Sequence, residues 1–351
     1  MSLKDKINVR VEVLFETEGV KILDSETAKL LKLIDKYNSI YLASKALGLA
    51  YSRAWERLAK IEATLGIKVV DKVRGGKGGG GTKLTKYGKE LLKLYEETAK
   101  TLGLTFEIHE KPKVRPQILI VGSNDILLEL FVGYLRRKYK INIETSWIGS
   151  SGGLAALMLN EADIATTHLY DPETGMYNKP FLKNYWLENK AEIVKGYFRE
   201  QVLAYHPSLS FNSIDEVLEN LVTGKLRLVN RNLGSGTRVH LDYMLRSFCK
   251  KRGLNFHKVL EKVKGYNLEV FSHLEAAKMI AEGRAEVGLM LRYAAEIYKL
   301  KYIHYTWEEY DFVILKDRIE NEYVKLFINE LHSKPLNNLA RSIIGYRLKL
   351  S

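Results

Sequence analysis

The stretch YSRAWERLAKIEATLG (51–66) constrains the chain most. Ala54, Trp55, Leu58, Ile61 and Leu65 recur at three- and four-residue spacings, which makes one apolar stripe along an amphipathic helix. Ser52, Arg53, Glu56, Arg57 and Lys60 lie elsewhere on its surface. Just before it, YLASKALGL (41–49) reads as a shorter helix ended by Gly48, and only Leu49 and Ala50 are left to make the turn. Two helices joined this tightly form a helix-turn-helix, whose second member carries side chains able to reach base edges and phosphates. Ser44, Tyr51, Ser52, Arg53 and Arg57 are the candidates for such contacts.

The next residues, IKVVDKVRGGKGGGGTKLTKYGKELLKLYEE (67–97), predict a strand, a glycine-rich tip, a second strand and a helix. Glycine lets a backbone approach a surface closely, because no Cβ intervenes. With Arg74, Lys77 and Lys83 around it, the tip is suited to lie along a phosphate backbone as a wing. A flexible linker is the plainer reading of such a run. The β-branched strand before it and the helix after Thr85 favour the wing. Charge agrees: residues 41–95 hold twelve Lys or Arg against four Asp or Glu, within a chain of net charge +13. That concentration points to duplex DNA as a partner.

Upstream, residues 7–24 alternate around Thr17-Glu18-Gly19 as a hairpin does, and Ser25-Glu26-Thr27 starts a supporting helix to Tyr37. Residues 38–97 resemble the winged helix-turn-helix domain of the ModE molybdate-responsive repressors, relatives of the LysR-type regulators. The Ser52-Arg53-Ala54-Trp55 helix start and the RGGKGGGGTKLTKYG run (74–88) carry the resemblance. It stops near residue 100, and the molybdate-binding barrels usual in that family do not follow. It implies that the helix over 87–102 pairs with its twin, giving a homodimer or a tetramer built from two such pairs.

Residues 109–117, HEKPKVRPQ, hold two of the chain's six prolines and no periodicity, and read as a linker between a DNA-binding unit (1–108) and a second unit (118–351). Beyond the linker, short apolar strands alternate with helices: ILIVGSND, LLELFVGYLRRKY, INIETSWIG, GGLAALMLNE, ADIATTHL. This grammar predicts a mainly parallel α/β sheet covered on both faces. It repeats between 199 and 291, and YDFVILK (310–316) reads as a strand returning to the first lobe. The arrangement resembles the two-lobed type II periplasmic-binding-protein fold, with crossing strands near 197–205 and 308–316.

In such sheets ligands bind where strands lead into helix N-termini. Three junctions qualify: Ser123, Asn124 and Asp125 after the first strand; Ser150, Ser151 and Gly152 before LAALML; and Ser235, Gly236, Thr237 and Arg238 after VNRNL. Each junction alone is ordinary capping chemistry. Together, with Arg231 and Arg238 supplying charge, they predict a cleft for a small anion. Residues 118–315 also resemble the domain of this fold fused to ModE-like units and to molybdopterin-biosynthesis proteins. VGSND, GSSGGLAAL, EADIATTHLYDPETGMYN, VNRNLGSGTR and AAKMIAEGRAEVGL carry that likeness. It implies an oxyanion ligand such as molybdate or tungstate, and makes His168, Asp171 and Asn178 further candidates. An organic or pterin-type metabolite is the alternative, with Trp147, Tyr170 and Tyr177 as apolar walls.

No zinc-protease, nucleotide-loop or CxxC spacing occurs, so a non-enzyme without cofactor is expected, and a carrier or enzyme of molybdenum-cofactor metabolism is the competing reading. The single cysteine, Cys249, sits in a helical pattern as a buried thiol. No apolar run approaches a membrane span of about eighteen residues, and no leader pattern opens the chain, so a cytoplasmic protein is expected.

Overall fold

The computed structural model describes residues 11–72, 81–104, 108, 115–232 and 235–348. β1 (Phe15–Thr17) and β2 (Val20–Leu23) form the expected hairpin, turned by Glu18 and Gly19 at φ 51° and 76°. Asp24 then accepts the Thr27 N–H at 2.8 Å and caps α1 (Ser25–Tyr37). Ser39 caps α2 (Ile40–Leu47), and Gly48 ends it at φ 69°, a conformation that only glycine adopts without steric cost. α3 (Tyr51–Leu65) follows, then β3 (Val70–Lys72), β4 (Thr82–Leu84) and α4 (Lys86–Thr101). β3 and β4 pair antiparallel with Asp71 opposite Lys83. The element order is that of a winged helix-turn-helix. The tip between its strands, with Arg74 and Lys77, lies outside the described residues, as does most of 109–117.

β5 (Ile118–Gly122), β6 (Ile143–Trp147) and β7 (Ile164–Thr167) run parallel, joined through α5 (Ile126–Tyr139) and α6 (Gly149–Met158). A small hairpin, β8 (Tyr170–Asp171) and β9 (Met176–Tyr177), precedes β10 (Ala191–Tyr205). The second lobe holds α7 (Ile214–Val222), β11 (Asn230–Arg231), α8 (Gly236–Lys251), α9 (Phe256–Leu260), β12 (Glu269–Val270), α10 (His273–Ala281), β13 (Val287–Leu291) and α11 (Arg292–Ile297). β14 (Lys301–Leu315) returns to the first lobe, which α12 (Glu322–Leu331), α13 (Lys334–Ser342) and β15 (Tyr346–Leu348) complete.

The main sheet has the order β13-β10-β14-β7-β5-β6, with β15 also on β10. β10 and β14 are antiparallel along their whole length, Ala191 opposite Leu315 and Tyr205 opposite Lys301. They are the crossing strands, each longer than the sequence suggests, and they serve both lobes. β13 pairs Gln201–Tyr205 in the second lobe, and β7 pairs Ile314–Asp311 in the first.

Among the described residues, four apolar clusters form the core. Phe131, Phe312 and Phe327 centre the one between the first-lobe sheet, α5 and α12. Two more cover the faces of the second lobe, one against α8 and one against α10 and α11. The fourth is continuous from Leu30, Ile40, Ala54 and Leu58 of the winged helix to Leu154, Ala156 and Leu157 of α6. Each fully buried leucine in it contributes about 1.5–3 kcal/mol, so the two halves are packed together rather than merely tethered. Cys249 is buried and free. Among the described residues no helix is long and apolar enough to cross a membrane.

Candidate functional site

The crossing strands meet between the lobes, and their inward side chains are charged. Arg199 of β10 lies opposite Glu308 of β14 and ion-pairs with it, and donates from Nη1 to Asp125 at 2.9 Å. All three side chains are buried. Two charges taken out of water are tolerated only with near-complete pairing. Here Tyr197 and Tyr346 donate to Asp125 at 2.6 and 2.8 Å, and Gln201 donates to Glu308 at 2.5 Å. Burial opposes ionisation of Glu308, yet Arg199 and His168 outweigh it and hold its pKa well below the usual range. The Tyr310 ring stacks on Tyr197 with centroids 5.0 Å apart, and Arg199 lies 4.5 Å over the Tyr310 ring.

From this floor a polar row rises to the β5–α5 loop. His168 Nδ1 is 3.2 Å from Glu308, and Nε2 is 2.8 Å from the Ser123 hydroxyl. With Glu308 ionised, Nδ1 carries a proton and donates to it, which leaves Nε2 facing the Ser123 hydroxyl. Ser150, at the start of α6, accepts the His168 backbone N–H at 3.2 Å. The second lobe closes on this group. A Cβ on Gly236 would come within 2.6 Å of His168 Nδ1 and Cε1, so only glycine permits that approach. Beside it, Tyr170 stacks on His240 at 4.7 Å, and the Tyr177 hydroxyl is 3.0 Å from His240 Nε2. Burial lowers the His240 pKa to about 4 and holds that of His273, at the start of α10, well below the usual imidazole value.

Arg231, at the end of β11, has a different environment from Arg199. Its guanidinium donates only to backbone carbonyls, Val270 at 3.3 Å and Phe271 at 2.9 Å, with no carboxylate in ion-pair range among the described residues. Burial pulls its pKa down to about 10, which leaves it charged at neutral pH, and it lies within electrostatic reach of Arg199 and Glu308. Arg199 Nε, Gln201 Oε1 and His240 Nδ1 are buried without a hydrogen-bond partner among the described residues. A half-buried cation together with unpaired donors and acceptors is what a cleft offers to a small polar ligand.

The structure brings Ser123, Ser150, His168, Arg231 and Gly236 to this cleft and gives other candidates different work. Asp125 is saturated by α5 capping, Arg199 and two tyrosines. Asn178 is fully buried, accepting from Leu169 N at 2.8 Å and donating to Asp311 at 2.9 Å, and so shapes the loop. Arg238 is spent inside the second lobe on Glu269, Asp242 and the Arg231 carbonyl, over the Tyr266 ring. Ser235 caps α8, Thr237 is buried beneath it, Asn124 and Ser151 are exposed, and Gly152 is half-buried. Asp171 is held within its own turn by Thr174. Arg199, Gln201, Glu308, His240 and His273 are absent from the sequence-derived set. For Arg199, Gln201 and Glu308 the one signal is a charged or polar residue within a strand, whereas His240 and His273 sit in helices and carry none.

On the winged helix, Ser52 is half-buried and Arg53 and Lys83 are exposed. Ser44 and Tyr51 are instead buried, Ser44 donating to the Tyr41 carbonyl and Tyr51 edge-on to Tyr41 and Trp55. Arg57 is held by Asp24 at 3.0 Å, by Glu26 and by Thr27, so it ties α3 to α1.

Residues 132–332 match the PBP superfamily domain. The uncharacterized protein YvgK of Bacillus subtilis (strain 168) is 28% identical over 242 residues, 69% of this chain and 74% of that protein. Transcriptional regulator ModE of Haemophilus influenzae is 30% identical over 116 residues, 33% of this chain, which spans 46% of that regulator's length. A putative phosphate ABC transporter substrate-binding protein from Clostridium perfringens, solved with bound phosphate, superposes with a TM-score of 0.50 at 15% identity over 67% of this chain and 99% of that one. At that identity the likeness is one of fold. With the domain match covering more than half of the chain, the protein belongs to the PBP superfamily.

Proposed function

We propose that this protein is a ligand-responsive transcription regulator that binds duplex DNA through its winged helix and a small oxyanion, molybdate or tungstate, in the cleft between its lobes. Arg231 carries the reading: it is a half-buried cation whose partners among the described residues are backbone carbonyls, so an anion would complete it. The Ser150 hydroxyl, which accepts the His168 N–H and keeps its own proton to donate, suits a tetrahedral anion that needs several hydrogen bonds and one charge. The ModE resemblance of 38–97 and the ModE regulator among the relatives support both the DNA partner and the anion class. Calorimetry with molybdate, tungstate, sulfate and phosphate tests it. Arg231→Met should weaken the bound anion about ten- to a hundredfold, the worth of one charged hydrogen bond. If the wild type takes up none of the four, an organic anion replaces the oxyanion in this reading.

The row Ser123–His168–Glu308 favours a second reading, acyl transfer with Ser123 as nucleophile. Glu308 is already committed to Arg199 and Gln201, and Gly236 is packed on the His168 ring, which favours a positioning role for the imidazole. A serine-directed fluorophosphonate settles the choice: labelling lost in Ser123→Ala supports transfer, and an unlabelled wild type removes it.

A further inference from the structure

We infer that α6 couples the cleft to the helix-turn-helix, with Glu161 fastening it to α2; the inference rests on reading the chain as a ligand-responsive regulator. At its cleft end α6 cannot shift alone. Ser150 holds the His168 backbone, and Gly153 sits so close to β5 that a Cβ would lie 2.7 Å from the Val121 carbonyl and 2.9 Å from Gly122 Cα. One helix length away, about 15 Å for ten residues, Asn160 turns the chain at φ 59°. There the buried Glu161 carboxylate accepts from Ile40 N at 2.8 Å, Tyr41 N at 3.1 Å and the Ser39 hydroxyl at 3.0 Å.

Ile40 and Tyr41 N–H are the first donors of α2, which have no partner within the helix. A carboxylate from the ligand-binding half therefore caps the first helix of the helix-turn-helix pair, at the positive end of its dipole. The turn is clamped from the other side as well. Arg318 donates to Asn160 at 3.2 Å, and Asp163 accepts Leu119 N at 2.8 Å. At the far end of α2, Lys45 pairs with Glu144 of β6 at 2.6 Å. α2 packs on α3, and α6 shares its buried cluster with both. An anion that contacts Ser150 in one lobe arrangement and not in the other would bias the position of α6, and Glu161 passes that bias to α2.

Amide hydrogen exchange on the full chain tests the coupling. Glu161→Gln should speed exchange at Ile40 and Tyr41 by at least about tenfold, while α12 amides stay protected. Ser150→Ala, at the cleft end, should speed the same two amides in the wild type and change them by less than about twofold once Glu161 is Gln. Equal effects of Ser150→Ala in both backgrounds, or no response of Ile40 and Tyr41 to Glu161→Gln, overturn the inference. Should Glu161→Gln unfold, as loss of α12 protection would report, Ser39→Ala removes one of the three donors and must give a smaller change of the same sign; no change overturns it. Molybdate is then added to each protein. It should alter Ile40 and Tyr41 exchange in the wild type and not in Glu161→Gln, with calorimetric affinities that agree within about threefold. A wild type that binds no molybdate defeats the oxyanion reading alone, because the ligand-free comparison still decides the coupling.

Discussion

His240 shows how one buried side chain ties the lobes to pH. Its ring is sandwiched by Tyr170 and hydrogen-bonded by Tyr177, and burial lowers its pKa from 6.5 to about 4. The folded state therefore resists protonation that the unfolded chain accepts. Stability is full above pH 6.5 and is lost as pH falls toward 4, by about 3 kcal/mol over that interval. Denaturant midpoints measured from pH 7 to pH 4 should fall, and His240→Gln should flatten the fall; parallel profiles would disprove the assignment. Individual residues were the least legible in the sequence. Gln201 and Glu308 are 107 residues apart, and nothing short of the β10–β14 register puts them in contact. The ion pairs of Arg57 are hidden for the same reason, since Asp24 and Glu26 reach it from the cap and first turn of a helix earlier in the chain.

Elements were far more legible, because helix and strand periods are local. α1, α2, α3 and the β5–α5–β6–α6–β7 run fall where apolar spacing put them. β15 escaped because three residues carry no period, although Tyr346 in it reaches Asp125. α4 keeps Tyr87 and Leu94 half-exposed, and Leu102 lies just beyond its end. Seven and then eight residues separate them, close enough to two heptads to leave one stripe that a twin helix would cover. Leu94→Glu should convert a dimer to a monomer in light scattering at micromolar concentration; an unchanged mass would place pairing elsewhere. On α3, Arg53→Ala should cost about 1–3 kcal/mol on the preferred duplex alone. Lys83→Ala should weaken every duplex about equally and lower the salt slope by about one. Two identical mutants would show that α3 does not read bases.

At the scale of the molecule, the lobes meet at Gly236. Gly236→Ala leaves the helix start intact yet drives a methyl into His168, so the lobes cannot close as they do here. Anion affinity should fall at least about tenfold while thermal stability changes little, and unaltered affinity would mean that binding does not need this closure. The crossing strands carry one more consequence, for the order of events in folding. The whole second lobe is inserted between β10 and β14, so the first-lobe sheet pairs residues as remote as Ala191 and Leu315. Closing so long a loop is slow from the open chain. A second lobe that forms first draws the two strands together and shortens the search. Leu245→Ala, in the second-lobe core, should then slow refolding in stopped-flow traces, whereas Phe327→Ala, under α12, should mainly speed unfolding. The lobe that carries Arg231 would thus also be the template on which the other lobe is assembled.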